Sequence, residues 1–343
     1  MREPYRILDA NFNRAREALR VVEDCGRFAL NDVAVTAMAK NLRSDLTEIL
    51  EEMPVAEFVA SRDTPGDIGT DITSPGEMRR VDLADVAAAA CKRLTEALRT
   101  IEEYSKFVAP EVVLKAERMR YNAYTLEQRL VSRLAVSKRM ADVRLYVLIS
   151  SSPCRGSLRE TARAAIAGGA DAIQLREKEA PDAQLLAMAA ELRELTDETN
   201  RLLIINDRPD IAAIVGADGV HLGQHDLPIA ESRRLLRPGA VVGRSTHSLA
   251  QARAAVNEGA DYIAVGPVFT TATKDAGAPV GTKLLKDVLA EVTLPVVAIG
   301  GINAENAGEV AAAGAQCLAV SSAICNADNI TAAASAIREK LEK

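Results

Sequence analysis

The stretch Gly168-Gly169-Ala170-Asp171-Ala172-Ile173-Gln174-Leu175-Arg176-Glu177-Lys178 holds one structural unit in eleven residues. Glycine ends a helix because it takes the left-handed conformation that closes one. The apolar run Ala172 to Leu175 is short enough for a buried strand, and a polar cluster follows it. The same signal recurs at Gly216-Ala217-Asp218 before Gly219 to Leu222, at Gly259-Ala260-Asp261 before Tyr262 to Gly266, and at Gly314-Ala315 before Cys317 to Ser321. Leu145 to Ser150, Leu202 to Asn206, Val241 to Gly243 and Val296 to Gly300 complete eight strands, each followed by a helical pattern. Eight such units in about 200 residues predict a (β/α)8 TIM barrel. A doubly wound sheet would carry a dinucleotide glycine fingerprint after its first strand. Here that strand runs into Ser150-Ser151-Ser152-Pro153 instead.

The first 139 residues have almost no strand pattern and contain an internal repeat. Asn13 to Phe28 aligns with Lys92 to Phe107, sharing Arg14/Arg93, Glu17/Glu96, Ala18/Ala97, Leu19/Leu98, Arg20/Arg99, Glu23/Glu102 and Phe28/Phe107. Each copy precedes a second helical stretch, about Val33 to Met53 and Pro110 to Ser137, so a duplicated hairpin predicts an all-α helical bundle. The expected domains are therefore 1–139 and 140–343, with the boundary near Ser137 to Asp142. Between the hairpins, Arg62-Asp63-Thr64-Pro65-Gly66-Asp67-Ile68-Gly69-Thr70-Asp71 is too rich in Gly and Asp for helix. It is either a solvated turn or a binding loop.

The whole chain has 343 residues, 48% of them hydrophobic, and a net charge of -6. That charge gives no general reason to bind nucleic acid or an anionic membrane. Five cysteines without CxxC spacing argue against a disulfide framework or a structural zinc site. The amino terminus lacks the apolar core of a signal peptide, and no window approaches 18 uninterrupted apolar residues. A cytoplasmic enzyme acting on small metabolites is expected.

In a barrel of this class, function gathers at the carboxyl ends of the strands. Strand two ends in Gln174, Arg176 and Lys178, and the period of two sends all three to one side. Two cations together call for an anion, or else for a structural ion-pair layer with Glu177 or Asp207. Asp207 ends strand three and Asp226 lies just past strand four. Two hard carboxylates beside cations suit Mg²⁺ bound to a diphosphate, although Asp207 could instead cap the following helix. Ser245, Thr271, Thr273 and Lys274 offer hydroxyls and a point charge to phosphate oxygens. Gly300-Gly301, Ser321 and Ser322, after strands seven and eight, match the place where barrels bind phosphate through backbone N–H groups. His221, His225 and His247 are the only histidines. They are expected to position polar groups or to pack rather than to bind a transition metal.

QLREK at 174–178, IND at 205–207, GVHLGQHD at 219–226, STH at 245–247, GPVFTTATK at 266–274 and AIGGI at 298–302 resemble, in order and spacing, the thiamine-phosphate synthase family. The resemblance spans about Arg144 to Lys343. It implies condensation of hydroxymethylpyrimidine diphosphate with a thiazole phosphate to give thiamine phosphate and diphosphate, in the manner of a transferase. It implies that Gln174, Leu175, Arg176, Glu177, Lys178 and Asn206 hold the pyrimidine diphosphate, and that Asp207 and Asp226 hold Mg²⁺. Ser245 and Lys274 would meet the diphosphate oxygens, and Thr271, Ala272, Thr273, Gly301, Ser321 and Ser322 the thiazole phosphate. Arg176, Ser245 and Lys274 would then carry catalysis by stabilising the departing diphosphate, without a protein nucleophile. His225 stands where the family often has an acidic residue. A homodimer is the family's usual state. The alternatives are a thiazole tautomerase-like isomerase, which would need no diphosphate site, and a non-catalytic phosphate-metabolite sensor. The helical domain resembles the extension ahead of some thiamine-phosphate synthases for which a hydroxymethylpyrimidine-phosphate kinase role has been proposed. Arg62, Asp63, Asp67 and Arg14 or Arg93 would be its candidate ligands, and an oligomerisation module is the other reading.

Overall fold

The computed structural model describes residues 2–68, 79–151, 154, 156–271 and 278–342. The chain divides into two compact units, residues 1–135 and 136–343. Ala272, Thr273 and Lys274, with Gly69 to Asp71 and Ser152-Pro153, lie outside the described residues.

The first unit is helical. It contains α1 (Arg2–Asp24), a π-helical turn (Cys25–Ala29), α2 (Val33–Glu51), α3 (Val55–Ser61), α4 (Leu83–Val108), a 3-10 turn (Pro110–Val112) and α5 (Val113–Ala141) as far as Ala135. Leu8, Phe12, Ala15, Leu19 and Val22 of α1 share one apolar core with Ala87, Cys91, Leu94, Leu98 and Ile101 of α4. The sequence repeat thus places the apolar stripes of its two copies in one core, where they shield each other from water. The repeat also buries a matched carboxylate in each copy, Glu23 and Glu102. Arg43 of α2 meets the first, and Arg120 of α5 meets the second at 2.7 Å. Such a pair is retained only if both charges stay partnered, since a lone buried charge is costly. The short helix α3, absent from the sequence expectation, is held by Phe58 against Tyr5 and Phe12.

The second unit is a closed parallel barrel whose eight strands follow one another in sequence order, β8 pairing with β1. The elements are β1 (Leu145–Ile149), α6 (Leu158–Ala167), β2 (Ala172–Leu175), α7 (Asp182–Thr199), β3 (Leu202–Asn206), α8 (Pro209–Ile214), β4 (Gly219–Leu222) and α9 (Ile229–Leu235). They continue with β5 (Val241–Thr246), α10 (Leu249–Glu258), β6 (Tyr262–Val265), α11 (Gly281–Glu291), β7 (Val296–Ile299), α12 (Ala307–Ala312), β8 (Cys317–Val320), α13 (Ser322–Cys325) and α14 (Ile330–Arg338). Among the described residues no helix is long and apolar enough to cross a membrane.

Alternate strand residues separate into two cores. Leu145, Val147, Ile173, Leu175, Leu203 and Ile205 pack with the surrounding helices. Tyr146, Leu148, Ala172, Leu202, Ile204, Val241, Tyr262 and Val297 form the other cluster, joined by Val136 and Met140 from the last turns of α5. Those two side chains explain why the division falls a turn ahead of the expected boundary at 140. The helix runs on without a break, so composition gives no sign of where its partners change.

The recurring Asp of the Gly-Ala-Asp signal serves the amino ends of the strands. Asp171 accepts from the N–H groups of Arg144 and Leu145 at 2.8 and 3.1 Å, Asp218 from Leu203 at 2.9 Å, and Asp261 from Val242 at 2.7 Å. Each carboxylate is also met by arginine: Asp171 by Arg338 and Arg201, Asp218 by Arg139 and Arg193, and Asp261 by Arg233. These charge-assisted bonds tie each strand start to the next strand, at the end of the barrel opposite the polar carboxyl termini. Asp218→Ala should cost about 3–5 kcal/mol, because it strands partly buried guanidinium groups and a strand N–H. Urea unfolding of the full chain measures this, and a loss under about 1 kcal/mol would show that the clamp does not carry the barrel's stability.

Candidate active site

The carboxyl ends of β2 to β5 converge on one rim of the barrel. Gln174 and Asn206 point inward and are buried. Arg176 follows Leu175, its N–H donating to the Ile149 carbonyl at 2.9 Å, which continues the β1–β2 ladder past the last assigned residue. Period two puts its side chain on the same face as Gln174. The Leu175 side chain turns away from the rim and is fully buried in the layer between strands and helices. Only its backbone can serve a ligand. Glu177 accepts a hydrogen bond from the Ser151 N–H and so ties the loops after β1 and β2 together.

Asp207 leaves β3 with φ of +61°, a left-handed conformation uncommon for a residue with a side chain. Its N–H donates to the His221 carbonyl at 2.8 Å. Its carboxyl hydrogen-bonds to that of Asp226 and lies within electrostatic reach of Lys178 and Arg176. Asp226 in turn accepts from the Gly223 N–H at 2.6 Å. Burial, then the bond to and charge of Asp226, push the Asp207 carboxyl up to about 7 against the pull of Lys178 and Arg176. Two carboxylates held this close either share a proton or share a cation. The capping role is not taken up: the residue preceding α8 is Arg208, and no side chain caps that helix.

Ser245 lies near the end of β5, and its Oγ is 2.9 Å from His221 Nε2. His221 is buried, stacked on Tyr262 with ring centroids 5.5 Å apart, and its Nδ1 is 2.9 Å from the Tyr262 hydroxyl. Burial, opposed in part by the charge of Asp226, pushes its imidazole down to about 4, so the ring is neutral at pH 7. His247 Nδ1 is bound to the Gly266 carbonyl at 2.6 Å, and His225 is exposed. Among the described residues no group of three or more His, Cys, Asp and Glu side chains gathers as a metal cluster.

After β7, Gly300 and Gly301 have φ of +100° and +66°. A Cβ on Gly300 would meet Pro267 at 2.4 Å, and one on Gly301 would meet the Thr270 carbonyl at 2.5 Å. Only glycine lets this loop lie against the β6 loop, where Phe269 N–H donates to the Gly300 carbonyl at 3.0 Å. Ser321 follows β8 as the residue that precedes α13, and Ser322 opens that helix. Thr271 follows the β6 loop at the last described position before the gap.

Comparison with known proteins now bears on this rim. A family model described as thiamine monophosphate synthase matches residues 145–324, and one described as the ThiD2 family matches residues 6–129. A thiamine-phosphate synthase of Gloeobacter violaceus is 43% identical over 94% of this chain and 93% of its own length. One from Synechocystis is 41% identical over 98% and 96%.

The chain belongs to the thiamine-phosphate synthase family.

Thiamine phosphate pyrophosphorylase from Pyrococcus furiosus, 38% identical, superposes with a TM-score of 0.56 over 60% of this chain and 98% of its own. The family's activity is that of a transferase in thiamine biosynthesis, with small-molecule substrates, and the matching family model spans the barrel. The sequence reading expected His221 to position polar groups or to pack, and it missed its partners Tyr146 and Tyr262. Only closure of the barrel brings β1, β4 and β6 within reach of one another.

The Asp207 carboxyl gives a pH test on metal-free protein. Its folded value lies above the ordinary carboxylate range, so its stabilising contribution is complete below about pH 4 and is lost as pH rises through about 7. Thermal melts between pH 5 and 8 should therefore fall more steeply for the native chain than for Asp207→Asn. Identical slopes would remove the carboxyl pair as the cause.

Proposed function

We propose that the rim after β2 to β5 binds the pyrimidine diphosphate and draws off its diphosphate, while the loops after β6 to β8 bind the thiazole phosphate. The observation that carries this reading is the half-buried Asp207 carboxyl paired with Asp226 within electrostatic reach of Arg176 and Lys178. That set is wrong for a neutral ligand and right for a polyanion accompanied by a divalent cation. The two hard oxygen donors fit Mg²⁺, held by Asp207 and Asp226, and when bound the ion would offset charge building on the diphosphate oxygens.

The chain's own groups do the rest. Arg176, Lys178 and Lys274 offset the negative charge that grows on the leaving oxygen as the pyrimidine C–O bond breaks, and Ser245 donates a hydrogen bond to it. Asn206 and Gln174 bind and orient the heterocycle. Gln174 Oε1 is buried and has no hydrogen-bond partner among the described residues, so it fits an N–H donor such as the amino group of a pyrimidine. The thiazole nitrogen then attacks the exposed carbon, and no covalent link to the protein forms. Gly301, Ser321 and Ser322 offer backbone groups and hydroxyls to the thiazole phosphate, and Thr271 with the Ala272 and Thr273 of the family motif would complete that site. A tautomerase would have no use for this arrangement of two acids and two bases. Arg176→Ala should raise KM for the pyrimidine diphosphate by about tenfold or more and leave KM for the thiazole phosphate within about twofold. Steady-state kinetics with each substrate varied decides it, and equal effects on both would contradict two separate pockets.

The helical unit has a cleft of about 500 Å³ lined by Arg6, Asn11, Arg14, Gly66, Asp67 and Ile68. The connector folds back onto α1 there, Arg62 pairing with Asp9 at 2.6 Å and Arg6 donating to the Asp63 carbonyl at 2.8 Å. Two arginines beside a carboxylate in one cleft favour the phosphorylated-pyrimidine kinase reading over a solvated turn. Of the candidate ligands, Arg14 and Asp67 line the cleft, whereas Arg62 is taken up by Asp9. Arg14→Ala in the full chain should abolish ATP-dependent formation of the diphosphate from hydroxymethylpyrimidine phosphate and spare the condensation; retained kinase turnover rules Arg14 out.

A further inference from the structure

Five side chains from five different strands form one continuous hydrogen-bonded line through the barrel. Gln174 Nε2 donates to the Tyr146 hydroxyl at 2.8 Å, which is 2.9 Å from the Tyr262 hydroxyl; that is 2.9 Å from His221 Nδ1, and His221 Nε2 is 2.9 Å from Ser245 Oγ. All but Ser245 are buried, and Ser245 is half-buried at the rim. Gly243, on β5, leaves room for the line, since a Cβ there would sit 2.1 Å from the Tyr262 ring.

We propose that Tyr146, Tyr262 and His221 are positioning residues that fix the direction of the Ser245 hydroxyl, so that its hydrogen points at the substrate and not back into the protein. The supply of hydrogens along the line sets its direction. An amide nitrogen can only donate, so the Tyr146 oxygen accepts from Gln174 and its own hydrogen goes to Tyr262. Tyr262, having accepted, gives its hydrogen to His221 Nδ1. That nitrogen must then be bare, and a neutral imidazole carries its proton on Nε2. Nε2–H donates to Ser245 Oγ, and the serine hydrogen is left for a ligand. A buried line of this kind resists reversal of any one member, because turning it alone sets donor against donor at one of its junctions and acceptor against acceptor at the other. The proposal rests on the assignment of Ser245 to the diphosphate oxygens, and it supplies what that assignment needs, a donor already oriented before the leaving oxygen gains charge.

The first test reads the tautomer in the native chain. In the full chain labelled with ¹⁵N-histidine, long-range proton–nitrogen spectra at neutral pH should show His221 protonated on Nε2. His247, whose Nδ1 lies against a carbonyl that can only accept, should show the opposite tautomer. A sample with His221→Gln assigns the signal. His221 protonated on Nδ1 in the native chain overturns the proposal and leaves the diphosphate pocket untouched, whereas failure of the Arg176→Ala prediction would sink the pocket without changing the tautomer. The second test is a double-mutant cycle on kcat. Ser245→Ala should lower kcat by about a hundredfold and Tyr262→Phe by about tenfold with KM nearly unchanged. Combined, they should be no slower than Ser245→Ala alone within about twofold, because the tyrosine acts through the serine. Additive losses would show that Tyr262 matters only for packing, and would likewise overturn the relay.

Discussion

Pairing of β8 with β1 is the constraint on which the rest of the second unit depends. Once the sheet closes, alternate residues of every strand face one narrow interior, and groups far apart in sequence have no other place to go. Gln174, Asn206, His221 and Ser245 come from four strands and share that interior because each sits at an inward-facing place in its strand. The two ends of the cylinder are then used differently. At the amino ends, Asp171, Asp218 and Asp261 spend their charge on strand N–H groups and arginines. At the carboxyl ends, Asp207 and Asp226 interact with each other, and a shared proton or a cation has to resolve their repulsion.

That contrast is electrostatic. Asp218 and Asp261 are about as buried as any acid in the chain, yet each has donors on its oxygens and needs nothing more. Asp207 is held in a left-handed backbone conformation against a second carboxylate, which costs free energy that the surrounding fold must offset. In the proposed function, binding a cation and an anion together relieves it. The neutral state of His221 has a different cause, the burial of its ring beside Tyr262.

The helical unit uses burial of charge more sparingly. Its duplicated hairpin gives two equivalent glutamates, each closed off by an arginine from the helix that follows. The copies differ at the end of the first helix, where Gly26 lies in a π-helical turn and a Cβ would meet Val35 at 2.9 Å, while the second copy runs on as α-helix to Val108. The duplication is therefore not strict. The connector that follows the first hairpin, folded over Arg6 and Arg14, is where the unit's cleft lies.

The sequence alone determined the order of elements, since a period of two against a period of 3.6, with glycine at the helix ends, is a local property of the chain. It also determined which carboxylates and cations stand at strand ends, and the internal repeat. Tertiary structure alone decided three things. It turned Leu175 toward the helices by the alternation of its strand, while Gln174 beside it faced the interior. It assigned Val136 and Met140 to the barrel, because an unbroken helix carries no mark where its neighbours change. It joined Tyr146, Tyr262, His221 and Ser245, whose strands are separated by up to 116 residues between hydrogen-bonded partners, and whose meeting depends on a closure that no local pattern encodes.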